Sequence, residues 1–238
     1  MQTMTKLFNG DCLDIMKQIP DNCIDMILCD LPYGVTDCEW DNVIPFDKLW
    51  EQYNRIIKNN GAIVLFSMQP FTTKLISSNL KDFRYLWYWY KNYATGFSYA
   101  RYQPMRKIED ICIFYKKMPT YHPQGLIKID SPTIKKRTNS SIYRMTLTNS
   151  YKPTYKNYPK NVLHFDGVNS KDRLHPTEKP VALLEYLIKT YTNENDVVLD
   201  NCMGSGSTGE ACQNTNRHFI GIEIDTDFYN VACERLYK

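Results

Sequence analysis

"VVLDNCMGSGSTGEAC", residues 197–212, passes from an apolar, β-branched run through a Gly-Ser-Gly turn into a segment that can begin a helix near Ser207. Gly204 and Gly206 let a ligand approach the backbone closely. Roughly 20 residues beyond Asp200, a second strand-like run, "FIGIEID" (219–225), carries Glu223 near its end. In nucleotide-binding βαβ units an acid so placed holds a ribose diol. We do not assign Gly209, which follows "GSGST", the third-glycine role of the dinucleotide fingerprint, so the turn alone does not define the ligand.

A second punctuated strand lies near the other end of the chain. "ILCDLPYG" (27–34) is an apolar run that stops at Asp30 and turns through Leu31, Pro32, Tyr33 and Gly34. Pro32 cannot continue a ladder and forces Leu31 into an extended conformation. A carboxylate, a carbonyl and an aromatic ring are thereby gathered at a strand's C-terminal end, the edge where open α/β sheets bind ligands. Taken alone, the stretch also fits an ordinary strand-ending turn with an Asp cap.

Along the chain the strand candidates are 5–9, 24–30, 62–67, 84–91, 110–116, 197–202 and 219–225. Helical patterns separate several of them: "PFDKLWEQYNRIIKNNG", which Gly61 is placed to end, "KPVALLEYLIKTYT", with Pro180 near its first turn, and "DFYNVACERL". The alternation predicts a mostly parallel, doubly wound sheet. Candidates 84–91 and 110–116 have no clear helix between them, which predicts an antiparallel pair at one edge.

Residues 117–172 break this pattern. From Lys116 to Lys160 there are ten Lys or Arg against one acid, Asp130, with Tyr121, Tyr143, Tyr151, Tyr155 and Tyr158 interleaved. Basic charge with aromatic rings suits phosphate contacts and base stacking, and it equally suits a solvated loop. The 238 residues, 43% hydrophobic, otherwise read as one domain with a net charge of only +3. The apolar runs are too short to span a membrane. The start "MQTMTKLFNGDC" lacks the pattern of a secretory leader. The eight cysteines include no C-x-x-C pair. Reduced, mostly buried thiols in a cytoplasmic protein are expected, with no metal site.

In combination the motifs resemble the β group of S-adenosylmethionine-dependent DNA amino-methyltransferases. Asp30-Leu31-Pro32-Tyr33 is similar to the group's Asp/Asn-Pro-Pro-Tyr catalytic tetrapeptide. "DNCMGSGST" is similar to its Asp-Pro-Phe-x-Gly-Ser-Gly-Thr cofactor loop, and "HPTEKP" (175–180) to the motif that precedes that loop. The resemblance covers everything but the basic insertion. It departs at Leu31 and at Asn201-Cys202.

It implies a Rossmann-like methyltransferase fold with a seven-stranded sheet, an antiparallel edge and a circularly permuted motif order. It also implies catalytic roles for Asp30, Leu31, Pro32 and Tyr33. Asp200, Gly204, Ser205, Gly206, Ser207 and Glu223 would bind S-adenosylmethionine, Asp11 and Cys12 would read its adenine, and Lys179 would lie near its methionine end. The implied partner is double-stranded DNA, with a homodimer and a restriction endonuclease partner as further expectations; an orphan, phage-borne enzyme is the alternative setting.

An exocyclic base amine is a poor nucleophile because its lone pair is delocalised into the ring. Asp30 and the Leu31 carbonyl can accept its two hydrogens as the nitrogen becomes tetrahedral, and Tyr33 can stack on a base swung out of the duplex. No cysteine nucleophile is needed, which argues against carbon-5 cytosine chemistry. Adenine N6 is the expected target. The alternatives are cytosine N4, an RNA or protein amide, a non-catalytic nucleic-acid-binding module, or a nicotinamide-dependent dehydrogenase that would leave "DLPY" unexplained.

Overall fold

The computed structural model describes residues 3–34, 41–136, 150–169, 171 and 173–237. Cys38 and, within the basic segment, residues 137–149 with Tyr143 lie outside the described residues.

The chain opens with β1 (Thr5–Asn9), α1 (Cys12–Met16), β2 (Ile24–Asp30), α2 (Phe46–Ile56), β3 (Ile57–Ser67) and α3 (Phe71–Ser78). Two long strands follow, β4 (Phe83–Thr95) and β5 (Arg106–Phe114). Four two-residue strands, β6 (Ile127–Lys128), β7 (Lys135–Lys136), β8 (Ser150–Tyr151) and β9 (Tyr155–Lys156), lie in the basic segment. The rest is β10 (Val162–His164), α4 (Val181–Tyr191), β11 (Val197–Asp200), α5 (Ser207–Asn214), β12 (His218–Glu223) and α6 (Thr226–Leu236).

The main sheet has the order β1-β12-β11-β2-β3-β5-β4-β10. Its pairings are parallel except the two that β5 makes with β3 and β4. From β11 the chain crosses to β12 on one side, whereas from β2 it crosses to β3 on the other. The C-terminal ends of β11 and β2 therefore diverge, and a crevice opens where Asp200 and Asp30 stand.

Apolar side chains fill both faces. One core layer joins Leu183, Leu187, Ala211 and Leu236 to the sheet, and the other joins Met16, Leu49, Tyr53 and Leu75 to it. Helices on both faces make the sheet doubly wound, as its sequence pattern predicts.

Three details differ from the sequence reading. The antiparallel β4–β5 pair is present, but β10 adds to β4 in parallel as an eighth strand. Three residues are too few for strand periodicity to register. Gly61 does not end α2. The helix passes straight into β3, and between Ile24↔Ile57 and Met26↔Ala62 the register shifts. Gly61 sits at that irregularity, where a Cβ would come within 2.7 Å of the Ile57 side chain and 2.8 Å of the Asp25 carbonyl. Gly209 does have a packing role: a Cβ there would lie 2.5 Å from Leu236 and 2.8 Å from Phe219. Only a glycine lets α5 settle this closely on β12 and α6.

The chain forms two compact units, residues 1–122 with 161–238 and residues 123–160. The second pairs β6 with β9 and β7 with β8. The ends of the segment read as an insertion, 117–122 and 161–172, belong to the first unit.

Candidate active site

A cavity of about 560 Å³ occupies the crevice. Asp11, Cys12, Asp30, Leu31, Pro32, Tyr33, Lys179, Asp200, Gly204, Ser205, Ser207 and Glu223 all line it. Gly206 does not. It caps α5 with φ of 80°, and its missing Cβ leaves room for Ala232 and Leu236.

At one end of the cavity, β2 delivers Asp30 and the following turn returns Tyr33. The Tyr33 hydroxyl donates to Asp30 Oδ1 at 2.7 Å, and the Tyr33 ring packs on Phe71 with centroids 5.0 Å apart. The other carboxylate oxygen, Oδ2, is ion-paired to Lys179 Nζ. Lys179 also meets Glu109 Oε1 at 3.1 Å, and Glu109 Oε2 meets Lys91 Nζ at 2.5 Å. Two carboxylates and two ammonium groups thus form a charge-balanced, largely buried chain.

Burial raises the Asp30 pKa, and Lys179 opposes that rise without cancelling it. Burial pushes Glu109 up as well, but Lys179 and Lys91 outweigh it and hold Glu109 below the usual range. Lys179 is disfavoured by burial, yet its two carboxylates raise it above an ordinary lysine. Burial, then Asp30 and Glu109, keeps the Tyr33 phenol protonated.

Lys91 and Glu109 are absent from the sequence reading, although a signal exists. Glu109 shares a strand face with Ile111 and Ile113, both in the core, and Lys91 shares one with Trp87 and Trp89. Charges in register with buried apolar side chains require partners. The resemblance put Lys179 near a cofactor's methionine end; its ammonium lies on the catalytic-motif carboxylate.

At the other end, β12 delivers Glu223. Its Oε2 accepts the Gly204 N–H at 2.7 Å and its Oε1 accepts the Asp225 N–H at 2.9 Å. Burial raises its pKa, opposed by those backbone donors. Each oxygen keeps lone-pair capacity for a further donor. Asp200 accepts the Cys202 N–H at 3.1 Å and the Thr208 hydroxyl at 2.7 Å, and burial raises its pKa to about 6. Asp11 caps α1 by accepting the Leu13 N–H at 2.7 Å.

Asn201, one of the departures from the family pattern, is buried. Its oxygen accepts from the Tyr53 hydroxyl at 2.5 Å, and its amide reaches the thiols of Cys12 at 3.6 Å and Cys202 at 3.5 Å. It ties the end of β11 to α2 and to the start of α1. This layer behind the cavity wall is one the sequence reading left open.

A cavity of this size, with a carboxylate pair-acceptor at one end and a glycine-rich turn beside it, fits an S-adenosylmethionine-sized group. Gly204, at φ of 51°, presents bare backbone there.

Fold and site together define a Rossmann-like α/β protein whose switch-point cavity is walled by an acidic-aromatic turn and a glycine-rich turn. Residues 24–234 match the DNA methylase family N6_N4_Mtase, and the chain belongs to that family. The chain is 30% identical to the type II methyltransferase M.HpaI of Haemophilus parainfluenzae, covering 97% of this chain and 74% of the relative. It is 28% identical to the DNA adenine methyltransferase YhdJ of Escherichia coli K12, covering 97% and 82%. Among solved structures, the M1.HpyAVI–SAM complex superposes with a TM-score of 0.65 at 24% identity, covering 98% of this chain and 100% of that one. The cytosine-N4-specific PvuII DNA methyltransferase gives 0.73 at 16% identity, covering 99% and 87%.

Proposed function

We propose that this protein is a site-specific DNA methyltransferase that moves a methyl group from S-adenosylmethionine to the N6 amine of an adenine swung out of the duplex. The observation that carries the reading is the pairing of Asp30 and Tyr33 at one end of a cavity whose other end presents Glu223 and the Gly204 backbone. Glu223 would hold the cofactor ribose, Asp11 and Cys12 its adenine. When bound, S-adenosylmethionine supplies a methyl group activated by its sulfonium charge. Asp30 accepts an amine hydrogen as the nitrogen turns tetrahedral, and its raised pKa lets it hold the proton that methylation releases. Lys179, neutralised by Glu109, keeps the carboxylate oriented without adding net charge beside the sulfonium.

Adenine rather than cytosine is supported by the relative named for adenine, YhdJ; the fold itself is shared with an N4-cytosine enzyme. The basic segment 117–172, whose middle part forms unit 123–160, serves as the main target-recognition element. The proposal extends to a homodimer in the cytoplasm and a cognate restriction endonuclease. Methylation of random-sequence duplex DNA, followed by modification-aware sequencing, tests the central reading: N6-methyladenine at one short motif is expected. N4-methylcytosine, or no modification with cofactor bound, would overturn it.

A further inference from the structure

Asp30 lies level with Phe66 of β3, which lies level with Ile111 of β5. β5 begins at Arg106, five residues earlier on the same side as the cavity mouth. At 3.3–3.4 Å per residue, the β4–β5 hairpin stands about 17 Å beyond the catalytic carboxylate. Its stem is well held: Thr95 pairs with Arg106, Lys107 Nζ lies 4.7 Å from the Tyr90 ring centre, and Arg173 donates to the Tyr93 hydroxyl at 2.6 Å.

Its tip is held by a 3-10 turn at Phe97–Tyr99 and by the Tyr102 and Gln103 N–H groups on the Tyr99 carbonyl, and its side chains face water. Residues 97–106 are exposed without interruption. Phe97 is 81% exposed, Tyr99 60% and Tyr102 87%. Residues 92–107 contain Arg101, Arg106 and Lys107 and no acid. Large aromatic rings held in water at the end of a paired stem, beside cations and over a base-modifying site, match one partner by charge and by shape. That partner is a duplex with bases to stack on and phosphates to neutralise.

We infer that the β4–β5 hairpin tip is a DNA-insertion element, separate from unit 123–160, whose Phe97 and Tyr102 stack on bases exposed when the target leaves the helix. Arg101 and Arg106 bond the flanking phosphates. The element holds the duplex open while Asp30 and Tyr33 engage the extruded base. The inference rests on the proposed DNA methyltransferase activity and adds how the paired substrate is opened. Apolar wedges between base steps are an established way to unstack DNA, and extrusion costs least where the base is already unpaired.

The test uses the F97S/Y102S double variant and Arg101→Gln on two duplexes bearing the methylated motif. One is fully paired; the other has an abasic position opposite the target adenine. Cofactor binding by calorimetry should match the unsubstituted protein, since the tip lies outside the cavity. On paired DNA the double variant should lose about 10-fold or more in kcat/KM, as expected for one or two lost base stacks. Most of that loss should be recovered on the abasic duplex, where the target is already unpaired. Arg101→Gln should flatten the salt dependence of duplex binding. Equal losses on both duplexes, or none on either, would overturn the insertion role. An unsubstituted protein that methylates neither duplex would overturn the proposed function and this element's role with it.

Discussion

Asp30, partly buried, and Glu223, buried, are carboxylates at strand ends lining one cavity, yet they are held in opposite ways. Glu223 is fixed by backbone N–H groups of Gly204 and Asp225, 19 and 2 positions away in the chain. Asp30 is fixed by side chains, and its strongest partner, Lys179, is 149 positions away. Glu223 is held within one βαβ unit, complete in itself. Asp30 takes its charge state from three strands and a loop that only the sheet order brings together. Backbone donors carry no net charge and cannot be titrated away, so in the first arrangement only the nearby Asp225 charge adds to the effect of burial. The second can be tuned by substitutions far from the motif.

The largest effect should come from Asp30. Asp30→Ala removes an acceptor needed most when the amine nitrogen is tetrahedral, and should slow single-turnover transfer by at least ~100-fold. Cofactor affinity should stay nearly normal. Asp30→Asn separates two roles. An amide oxygen still accepts the amine hydrogen, so partial activity should survive if hydrogen bonding dominates; if proton uptake dominates, Asn should be as inactive as Ala. Loss of cofactor binding in Asp30→Ala as severe as in a Glu223 variant would erase the division between the two ends.

Glu223→Ala should fail in the complementary way. It deletes a charge-assisted acceptor for the ribose diol, worth roughly 1.5–3 kcal/mol, or about 10- to 150-fold in cofactor Kd. The Gly204 and Asp225 N–H groups lose their acceptor as well. At saturating cofactor, transfer should recover most of its rate. A kcat defect that persists at saturation would mean that Glu223 also acts on the reacting centre.

Glu109→Gln sharpens the contrast, because no equivalent side-chain partner exists for Glu223 among the described residues. Glu109 raises the Asp30 pKa and shares Lys179 with it. Without its charge, Lys179 has Asp30 as its remaining anion, and Asp30 becomes more acidic. In the proposed role of Asp30 the transfer rate depends on its ionised form, so the acid limb of the pH profile should move to lower pH. The rate itself should fall on the order of 10-fold, as for weakened acid–base assistance, with cofactor affinity unchanged. A unit that merely packs would lower stability and leave the limb in place.

The same contrast governs what the sequence discloses. Strand, turn and acid follow one another within a few residues at both motifs, so "DLPY" and "DNCMGSGST" announce their carboxylates. Their grouping at one sheet edge follows from alternating strands and helices. The Glu109–Lys91 pair has a weaker signal, one charge per strand in phase with apolar neighbours, and its partners depend on β5 lying between β3 and β4. A glycine after a helical pattern resembles a helix stop, whereas Gly61 relieves a crowded shift in strand register. β10 is too short to show periodicity, and it joins the sheet only because β4 leaves an open edge.

The smallest expected effect concerns His175, in the loop that lies against Gly204. Its ring packs edge-on against Phe228, with centroids 4.1 Å apart, and its Nδ1 accepts the Thr177 N–H at 3.2 Å. Burial, helped by the Lys179 charge, lowers its pKa to about 4; Glu178 and Asp225 act weakly the other way. Its folded pKa lies below the free value of 6.5, so between pH 6.5 and 4 the unfolded chain binds more protons. Stability is therefore lost as pH falls through that window. Asp200, raised to about 6, contributes the opposite slope below pH 6, because there the folded state holds the extra proton. His175→Asn removes the first slope and leaves the second. On acidification from pH 6.5 to 4.5 the variant should lose less Tm than the unsubstituted protein, by about 2–4 °C, the shift that 1 kcal/mol produces in a chain of this size. Parallel Tm curves for the two proteins would show that the ring is open enough to water to titrate normally, and that the loop carrying Lys179 to Asp30 is less tightly packed than this geometry requires.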